Sequence, residues 1–243
     1  MPANDRIQFN IDKRIAWLRI NRPEAANAYT DAMVVTMEQA LDAIEKSTDA
    51  RVLVVTSAVP GRFCAGADLS EIRDRRAVDG ATIPSLALFD RLESLPIPTL
   101  AAIDGPAIAG GLELALACDL RIATRRSRFG LPETGLGILP AAGATWRLPR
   151  VVGQQHARAM ILFGQEWNAE QALAAGLIAE VVADNQLLDR VETLALKVIQ
   201  RDQLATTLAR NALNATLDGS DGRDIVTDAQ CRLYERQERE RDD

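Results

Sequence analysis

The sequence predicts an α/β layered domain followed by a helical C-terminal region. From the start of the chain to about residue 185, short apolar runs of β-type composition alternate with stretches of helical spacing and with Gly/Pro turns, as in α/β domains. From Val151 onward the spacing becomes almost wholly helical. Since no linker is long enough to separate two independent domains, we expect a core over residues 1–185. The helical region over residues 186–243 should lie on that core or on a neighbouring subunit.

The strands of the predicted core are short runs rich in Val, Ile and Leu. A β-branched run such as VLVVT indicates a strand that is buried on both faces. Turn residues follow two of the runs, Asn21-Arg22-Pro23 after the first and Gly105-Pro106 after the third. The four predicted strands are Ile15–Ile20, Val52–Thr56, Pro98–Ile103 and Leu120–Ala123.

The helices are predicted from apolar residues at helical spacing and from capping residues before them. Thr30 is the expected N-cap of the first helix and Asn168 of a later one. A turn cluster at 218–222 separates the last two helices, and the highly charged residues 235–243 should be solvated or frayed. Besides those that begin after the two caps, the predicted helices are Leu112–Ala117, Gln154–Phe163, Leu187–Ile199, Ala205–Leu217 and Asp224–Arg236.

The composition is that of an ordinary globular protein. With 28 basic and 34 acidic groups in 243 residues the net charge is −6, and 47% of the residues are hydrophobic. Surfaces that bind nucleic acid are normally basic, so we expect no nucleic-acid partner. No apolar run approaches the roughly 20 residues that cross a bilayer. The start, MPANDRIQFN, has no apolar leader, so we expect no membrane partner and a cytoplasmic location.

Several classes of site lack their required residues. Cys64, Cys118 and Cys231 are odd in number and show no C-x-x-C spacing, which weighs against a disulfide framework and a zinc knuckle. His156 is the only histidine, so no multi-histidine metal site can form, and we expect no metal. Neither GxGxxG, GxxxxGK[ST] nor GxSxG occurs, which weighs against dinucleotide-binding, P-loop and α/β-hydrolase chemistry.

Three glycine-bearing segments carry the candidate chemistry. Phe63–Asp68 follows the VLVVT run, Ala109–Glu113 follows PTLAAI, and Leu131–Gly137 follows Phe129. At strand-to-helix junctions, free backbone N–H groups and the positive end of the helix dipole point beyond the strand ends. Such N–H groups can stabilise a developing enolate oxygen, and glycine lets a thioester carbonyl approach closely.

Two carboxylates accompany these segments. Glu113 lies just inside the helix that begins at Gly110, and Glu133 belongs to the third segment and could face it. Two carboxylates across one gap can position a water molecule and move both protons of an addition. In a dry cleft they raise one another's apparent pKa, so that one stays protonated near neutral pH. The simpler interpretation is that each glutamate only stabilises its own turn or helix start.

The chain resembles the crotonase (enoyl-CoA hydratase/isomerase) superfamily over nearly its whole length. The resemblance rests on four motifs in the order and spacing of that family: NRPEAANA at 21–28, FCAGADL at 63–69, GPAIAGGLELALACDLRIA at 105–123 and FGLPETGLGILPAAGATWRL at 129–148. It implies an α/β fold with a spiral core of ββα units. The C-terminal helices would build a homotrimer or a dimer of trimers.

The resemblance also implies roles for individual residues. The N–H groups of Ala65 and Gly110 would hold a thioester carbonyl, Glu133 would protonate the α-carbon, and Glu113 would help water attack the β-carbon. Because the CoA thioester is itself the substrate, no cofactor is implied. Asp68 is also a natural cap for the helix beginning at Leu69. The implied contacts to the acyl-CoA substrate come from Arg22, Ala25, Arg62, Ala67, Asp68, Leu69, Gly111 and Ala141.

One departure and three alternatives remain open at this point. Glu24 stands where family members often carry lysine near the CoA nucleotide, so CoA phosphates would depend on other groups such as Arg22 and Arg62. Retention of both Glu113 and Glu133 favours reversible hydration of an enoyl-CoA to a 3-hydroxyacyl-CoA. The alternatives are an enoyl-CoA isomerase, another acyl-CoA lyase of the same fold, and a non-catalytic acyl-CoA-binding protein.

Overall fold

Two β-sheets with helices around them form the part of the chain that the computed structural model describes, residues 6–217 and 222–242. The strands are β1 (Ile7–Asp12), β2 (Ile15–Ile20), β3 (Val52–Ser57), β4 (Thr99–Ile103), β5 (Ala107–Ile108), β6 (Leu120–Thr124), β7 (Arg128–Gly130), β8 (Trp167–Asn168) and β9 (Glu180–Val182). The helices are α1 (Asp31–Glu45), α2 (Leu69–Asp74), α3 (Pro84–Glu93), α4 (Gly110–Leu116), α5 (Ala144–Phe163), α6 (Ala169–Ala174), α7 (Leu187–Ile199), α8 (Gln203–Leu217) and α9 (Gly222–Asp242).

The larger sheet has the order β1-β2-β3-β4-β6-β9. Its first pair is antiparallel and every later pair is parallel. Strand β3 shows why the VLVVT run is apolar throughout, since successive side chains of a strand point to opposite faces. Leu53 and Val55 enter the core on one face, whereas Val52 and Val54 enter a second core on the other.

The smaller sheet, with the order β5-β7-β8, gives the core its spiral form. The chain passes from a strand of the larger sheet to a short strand of the smaller one and then into a helix. It does so from β4 to β5 and α4, and again from β6 to β7 and α5. The segment after β3 also pairs with the smaller sheet, because Cys64 forms a parallel bridge to Ala107 of β5. These repeated ββα units are those that the resemblance to the crotonase superfamily implied.

Helices cover both faces of the larger sheet. On one face, α1 begins at Thr30, whose side chain accepts a hydrogen bond from the Met33 N–H, and it buries its apolar stripe in the main core. On the other face, α7 packs Leu187, Val191 and Ala195 into the second core. In the described residues, no helix is both long and apolar enough to cross a membrane.

Several elements differ from the sequence-based expectation. Strand β1 was missed, although its apolar and polar residues alternate as in an edge strand. Helix α5 begins at Ala144 rather than Gln154, and the predicted start corresponds to a break at Gly153, which has a φ of 79°. The charged C-terminal residues continue α9 as far as Asp242, with the side chains that the structure describes from 235 to 241 half-buried or exposed. Residues 218–221 of the turn cluster and residues 1–5 lie outside the described residues.

Candidate active site

The three glycine-bearing segments meet at one edge of the smaller sheet. They follow the Cys64 bridge, β5 and β7, and the carboxyl ends of parallel neighbours lie side by side. The Ala109 N–H donates to the Gly130 carbonyl oxygen at 2.9 Å, which joins the second segment to the third. A Cβ on Gly66 would lie only 3.0 Å from the Gly110 nitrogen, which shows how closely the first two segments approach.

The N–H groups of Ala65 and Gly110 lie at this meeting point. Gly110 is the first residue of α4, so its N–H is one of the four that a helix leaves without an internal acceptor. Ala109 turns the chain into the helix with φ 52° and ψ −130°, a conformation that residues with a side chain rarely adopt. Ala65 directly follows the Cys64 bridge and is half-buried. That the two N–H groups share one ligand oxygen stays a prediction.

Glu113 is held firmly by a neighbouring loop. Its Oε1 accepts hydrogen bonds from the N–H groups of Ala142 at 2.8 Å and Ala144 at 3.0 Å, and the residue is only 3% exposed. Burial raises the pKa of this carboxyl, while the two N–H donors and the positive charge of Arg147 oppose the rise. Because Oε1 is committed to the backbone, Oε2 is the oxygen left for a ligand.

Arg147 fixes the loop that holds Glu113. This buried guanidinium donates to the Ala142 carbonyl oxygen at 3.0 Å and forms ion pairs with Asp90 at 2.6 Å and Glu93 at 2.7 Å. A buried charge with several good partners is held in one geometry. The loop that presents two N–H groups to Glu113 is therefore anchored to α3, a role that the sequence did not reveal.

Helix α8 of the C-terminal region contacts the same anchor. On α8, Arg210 and Asn214 both donate to the Glu93 carbonyl oxygen, at 2.7 and 3.0 Å. Arg210 also forms an ion pair with Asp119 at 2.8 Å. Helix α8 therefore fixes the backbone of a residue whose carboxylate holds Arg147.

Glu133 is the least satisfied polar group of the site. It is 5% exposed, and its Oε2 is enclosed without a hydrogen-bond partner in the described residues. Burial raises its pKa to about 7; its own N–H opposes this rise and the charge of Glu113 adds to it. Near neutral pH this carboxyl is therefore present in both protonation states, and its free oxygen requires a ligand or a water molecule.

The raised pKa of Glu133 predicts a pH-dependent stability. Because the folded state holds this proton more tightly than the unfolded chain, the carboxyl lowers the free energy of unfolding as the pH rises from 4.5 to about 7. Glu133→Gln removes that loss. We expect the stability of the variant relative to the wild type to increase by roughly 2 kcal/mol between pH 5 and pH 8. Urea unfolding of both proteins at the two pH values measures this, and an equal difference at both would contradict it.

Most of the other predicted contact residues lie on two segments that run side by side. The Tyr29 N–H donates to the Gly66 carbonyl oxygen and the Asp68 N–H donates to that of Tyr29, both at 2.8 Å. Asn27 locks the pair, since its side-chain amide donates to the carbonyl oxygens of Arg62 and Phe63. The asparagine was not singled out from the sequence, although it lies within NRPEAANA. These segments carry Arg22, Ala25, Arg62, Ala67, Asp68 and Leu69, whereas Gly111 is buried in α4 and Ala141 is half-buried beside the Glu113 loop.

The charged members of this group are already engaged with the protein. Arg22 donates to Asp68 at 2.6 Å and is mostly buried, and Asp68 also caps α2 by accepting from the Ser70 N–H. The hydroxyl and N–H groups of Ser70, together with Arg22, lower the pKa of Asp68 to about 2. Arg62 is exposed and donates to a backbone carbonyl oxygen. Glu24 Oε1 lies 3.7 Å from Arg22 Nε, so the guanidinium partly compensates the negative charge of Glu24. Arg62 is therefore the more accessible of the two arginines.

Comparison with known proteins agrees with this arrangement. The profile of the family described as "Enoyl-CoA hydratase/isomerase" matches residues 10–242. The chain belongs to this family. The short-chain-enoyl-CoA hydratase of Clostridium acetobutylicum is 37% identical over 203 residues, which cover 83% of this chain and 78% of that protein. The crotonyl-CoA hydratase of Syntrophomonas wolfei is 35% identical over 214 residues, covering 87% and 82% respectively.

Solved structures share the fold of this chain. The enoyl-CoA hydratase of Bacillus anthracis superimposes with a TM-score of 0.88 at 33% identity, over 93% of this chain and 89% of that chain. The DspI protein of Pseudomonas aeruginosa gives a TM-score of 0.90 at 30% identity, over 97% and 96%. The spiral core and the helices that follow it are therefore those of the crotonase fold.

Proposed function

We propose that the protein is an enoyl-CoA hydratase, which adds water reversibly across the 2,3 double bond of an enoyl-CoA thioester to give a 3-hydroxyacyl-CoA. The observation that carries this proposal is the pairing of two different buried carboxyls. Glu113 has one oxygen fixed by two N–H donors, and Glu133 has a free oxygen and a pKa near 7. An addition of water needs one group to orient the water and another to deliver a proton.

In the proposed reaction, the thioester carbonyl oxygen accepts hydrogen bonds from the Ala65 and Gly110 N–H groups. Negative charge develops on this oxygen as water attacks the β-carbon, and preorganised donors at that place stabilise it. Glu113 Oε2 accepts a hydrogen bond from the attacking water, and protonated Glu133 gives its proton to the α-carbon. One proton of the water replaces the one that Glu133 has lost, so the pair returns to its starting state.

The remaining features of the proposal follow from the same assignment. The CoA thioester is the substrate, so no metal or further cofactor is needed, and the contact residues on 22–29 and 62–69 would hold the CoA portion. We propose a cytoplasmic homotrimer or dimer of trimers. Apolar side chains exposed at the end of α5 support an association surface, with Phe163 83% and Leu162 59% exposed.

The decisive experiment offers the purified protein a series of trans-2-enoyl-CoA esters of increasing chain length. We expect the ultraviolet absorbance of the conjugated thioester to fall as water adds, with 3-hydroxyacyl-CoA as the product identified by mass spectrometry. A 3-enoyl-CoA ester in the same assay separates the alternatives, because an isomerase would increase the conjugated absorbance. Tight binding of the esters with no turnover would contradict hydration and would indicate an acyl-CoA-binding protein.

A further inference from the structure

Tyr29 lies within the site, and none of the roles described above uses its hydroxyl group. The residue is 3% exposed, and its ring meets Phe89 of α3 edge to face with centroids 6.1 Å apart. A Cβ on Gly110 would overlap the Tyr29 hydroxyl oxygen and would lie 3.0 Å from the ring carbon that bears it. The phenol therefore occupies the space that a side chain at position 110 would fill.

This position places the hydroxyl off the N-terminal end of α4. In a helix, both the Cα–Cβ direction and the N–H direction point toward the N-terminus. A group that fills the side-chain position of Gly110 consequently borders the space into which the Gly110 N–H points. In the proposed function, that space holds the thioester oxygen.

The chemistry of the hydroxyl suits a donor at this place. Burial raises the pKa of Tyr29, and the charges of Glu113 and Glu133 add to the rise, so the phenol keeps its proton throughout the working pH range. The Ser85 side chain hydrogen-bonds to the phenol and opposes this rise in its pKa. Because a phenol hydroxyl can accept one hydrogen bond while it donates another, contact with Ser85 is compatible with donation to a ligand.

We propose that the Tyr29 hydroxyl is a third hydrogen-bond donor to the thioester oxygen, beside the N–H groups of Ala65 and Gly110. This inference rests on the proposed function for its substrate. It makes Tyr29 a catalytic residue, since a donor that faces the developing charge acts more strongly on the enolate than on the bound ester. It also accounts for a buried tyrosine at a position where its ring alone would complete the packing against Phe89.

The test compares Tyr29→Phe with Tyr234→Phe. The first variant keeps the ring and removes the hydroxyl, and the second makes the same change at the other tyrosine of the chain, which is 55% exposed on α9. We expect Tyr29→Phe to lower kcat for crotonyl-CoA by about 10²-fold, in the range found for single oxyanion donors. KM should change less than 3-fold, and Tyr234→Phe should match the wild type.

Infrared spectroscopy of bound butyryl-CoA labelled with ¹³C at the carbonyl carbon gives a second readout that needs no turnover. Each hydrogen bond to the carbonyl oxygen lowers its stretching frequency, so the band in Tyr29→Phe should lie closer to that of the free thioester than the wild-type band.

An unchanged band or an unchanged kcat would overturn the third donor. If the band of Tyr29→Phe differs from that of the wild type but no enoyl-CoA is hydrated, the third donor is supported and the proposed function is overturned. If the wild-type protein shows no shift on binding, both fail. Tyr29→Leu, read in the same way, replaces Tyr29→Phe if the latter does not fold.

Discussion

Glu133→Gln is expected to abolish hydration while leaving acyl-CoA binding within a few-fold of the wild-type value. The amide has the size of the carboxyl but cannot give a proton to the α-carbon, and a positioned acid or base is worth about 10²–10⁴ in rate. We expect kcat for crotonyl-CoA to fall by about 10³-fold or more. Since the predicted CoA contacts lie on other segments, the dissociation constant of butyryl-CoA measured by calorimetry should hardly change.

A matched substitution separates loss of the acid from a general effect of replacing a glutamate. Glu170 is exposed in the first turn of α6, and Glu170→Gln should keep wild-type kinetics. The wild-type rate of hydration should also decline above a pH of about 7, because Glu133 then loses the proton that it must deliver. Turnover by Glu133→Gln within 10-fold of the wild type would show that the proton comes from another group.

Gly111→Ala is expected to inactivate and destabilise the protein. A Cβ at this position would overlap the Cys64 carbonyl oxygen and lie 2.7 Å from the carbonyl carbon. This contact is with the backbone, which cannot rotate away as a side chain can. The clash would push the turn that carries the Ala65 N–H away from α4. We expect a loss of about 3 kcal/mol in the free energy of unfolding and a loss of at least 10²-fold in kcat/KM.

Gly135 provides the control for Gly111. It lies in the short 3₁₀ turn Glu133–Leu136, and a Cβ built on it meets no atom within 4 Å. Gly135→Ala should therefore leave both thermal unfolding and kinetics close to those of the wild type. Equal behaviour of the two alanine variants would mean that the close approach of α4 to the Cys64 turn does not matter for the site.

Much of the fold and the clustering of the candidate site could be predicted from the sequence. The VLVVT and IAWLRI runs are long and apolar enough to indicate strands, and the N-cap Thr30 marks the start of α1. The segments that carry Glu113 and Glu133 follow parallel neighbouring strands and therefore come together. That the two carboxyls face one gap stays a prediction. Their hydrogen-bond partners did not follow from the sequence.

What the sequence could not provide depends on contacts between distant segments. Strands β5 and β8 have two residues each, too short for any periodicity to appear. The support of Glu113 by Arg147 links residues that only the folded chain brings together. Tyr29 was not singled out from the sequence, and its closeness to Gly110 and to Phe89 of α3 arises only in the folded chain.

The hydrogen bonds from α8 to the Glu93 carbonyl oxygen limit how far the chain can be shortened without disturbing the candidate site. A fragment truncated at residue 185 would lack Arg210 and Asn214, leaving the Glu93 carbonyl oxygen without the donors that now immobilise it. The carboxylate of Glu93 forms the ion pair that holds Arg147. A shorter version of this chain would therefore need new hydrogen-bond donors to the Glu93 carbonyl oxygen. It would also need apolar side chains to replace those of α7 on the larger sheet.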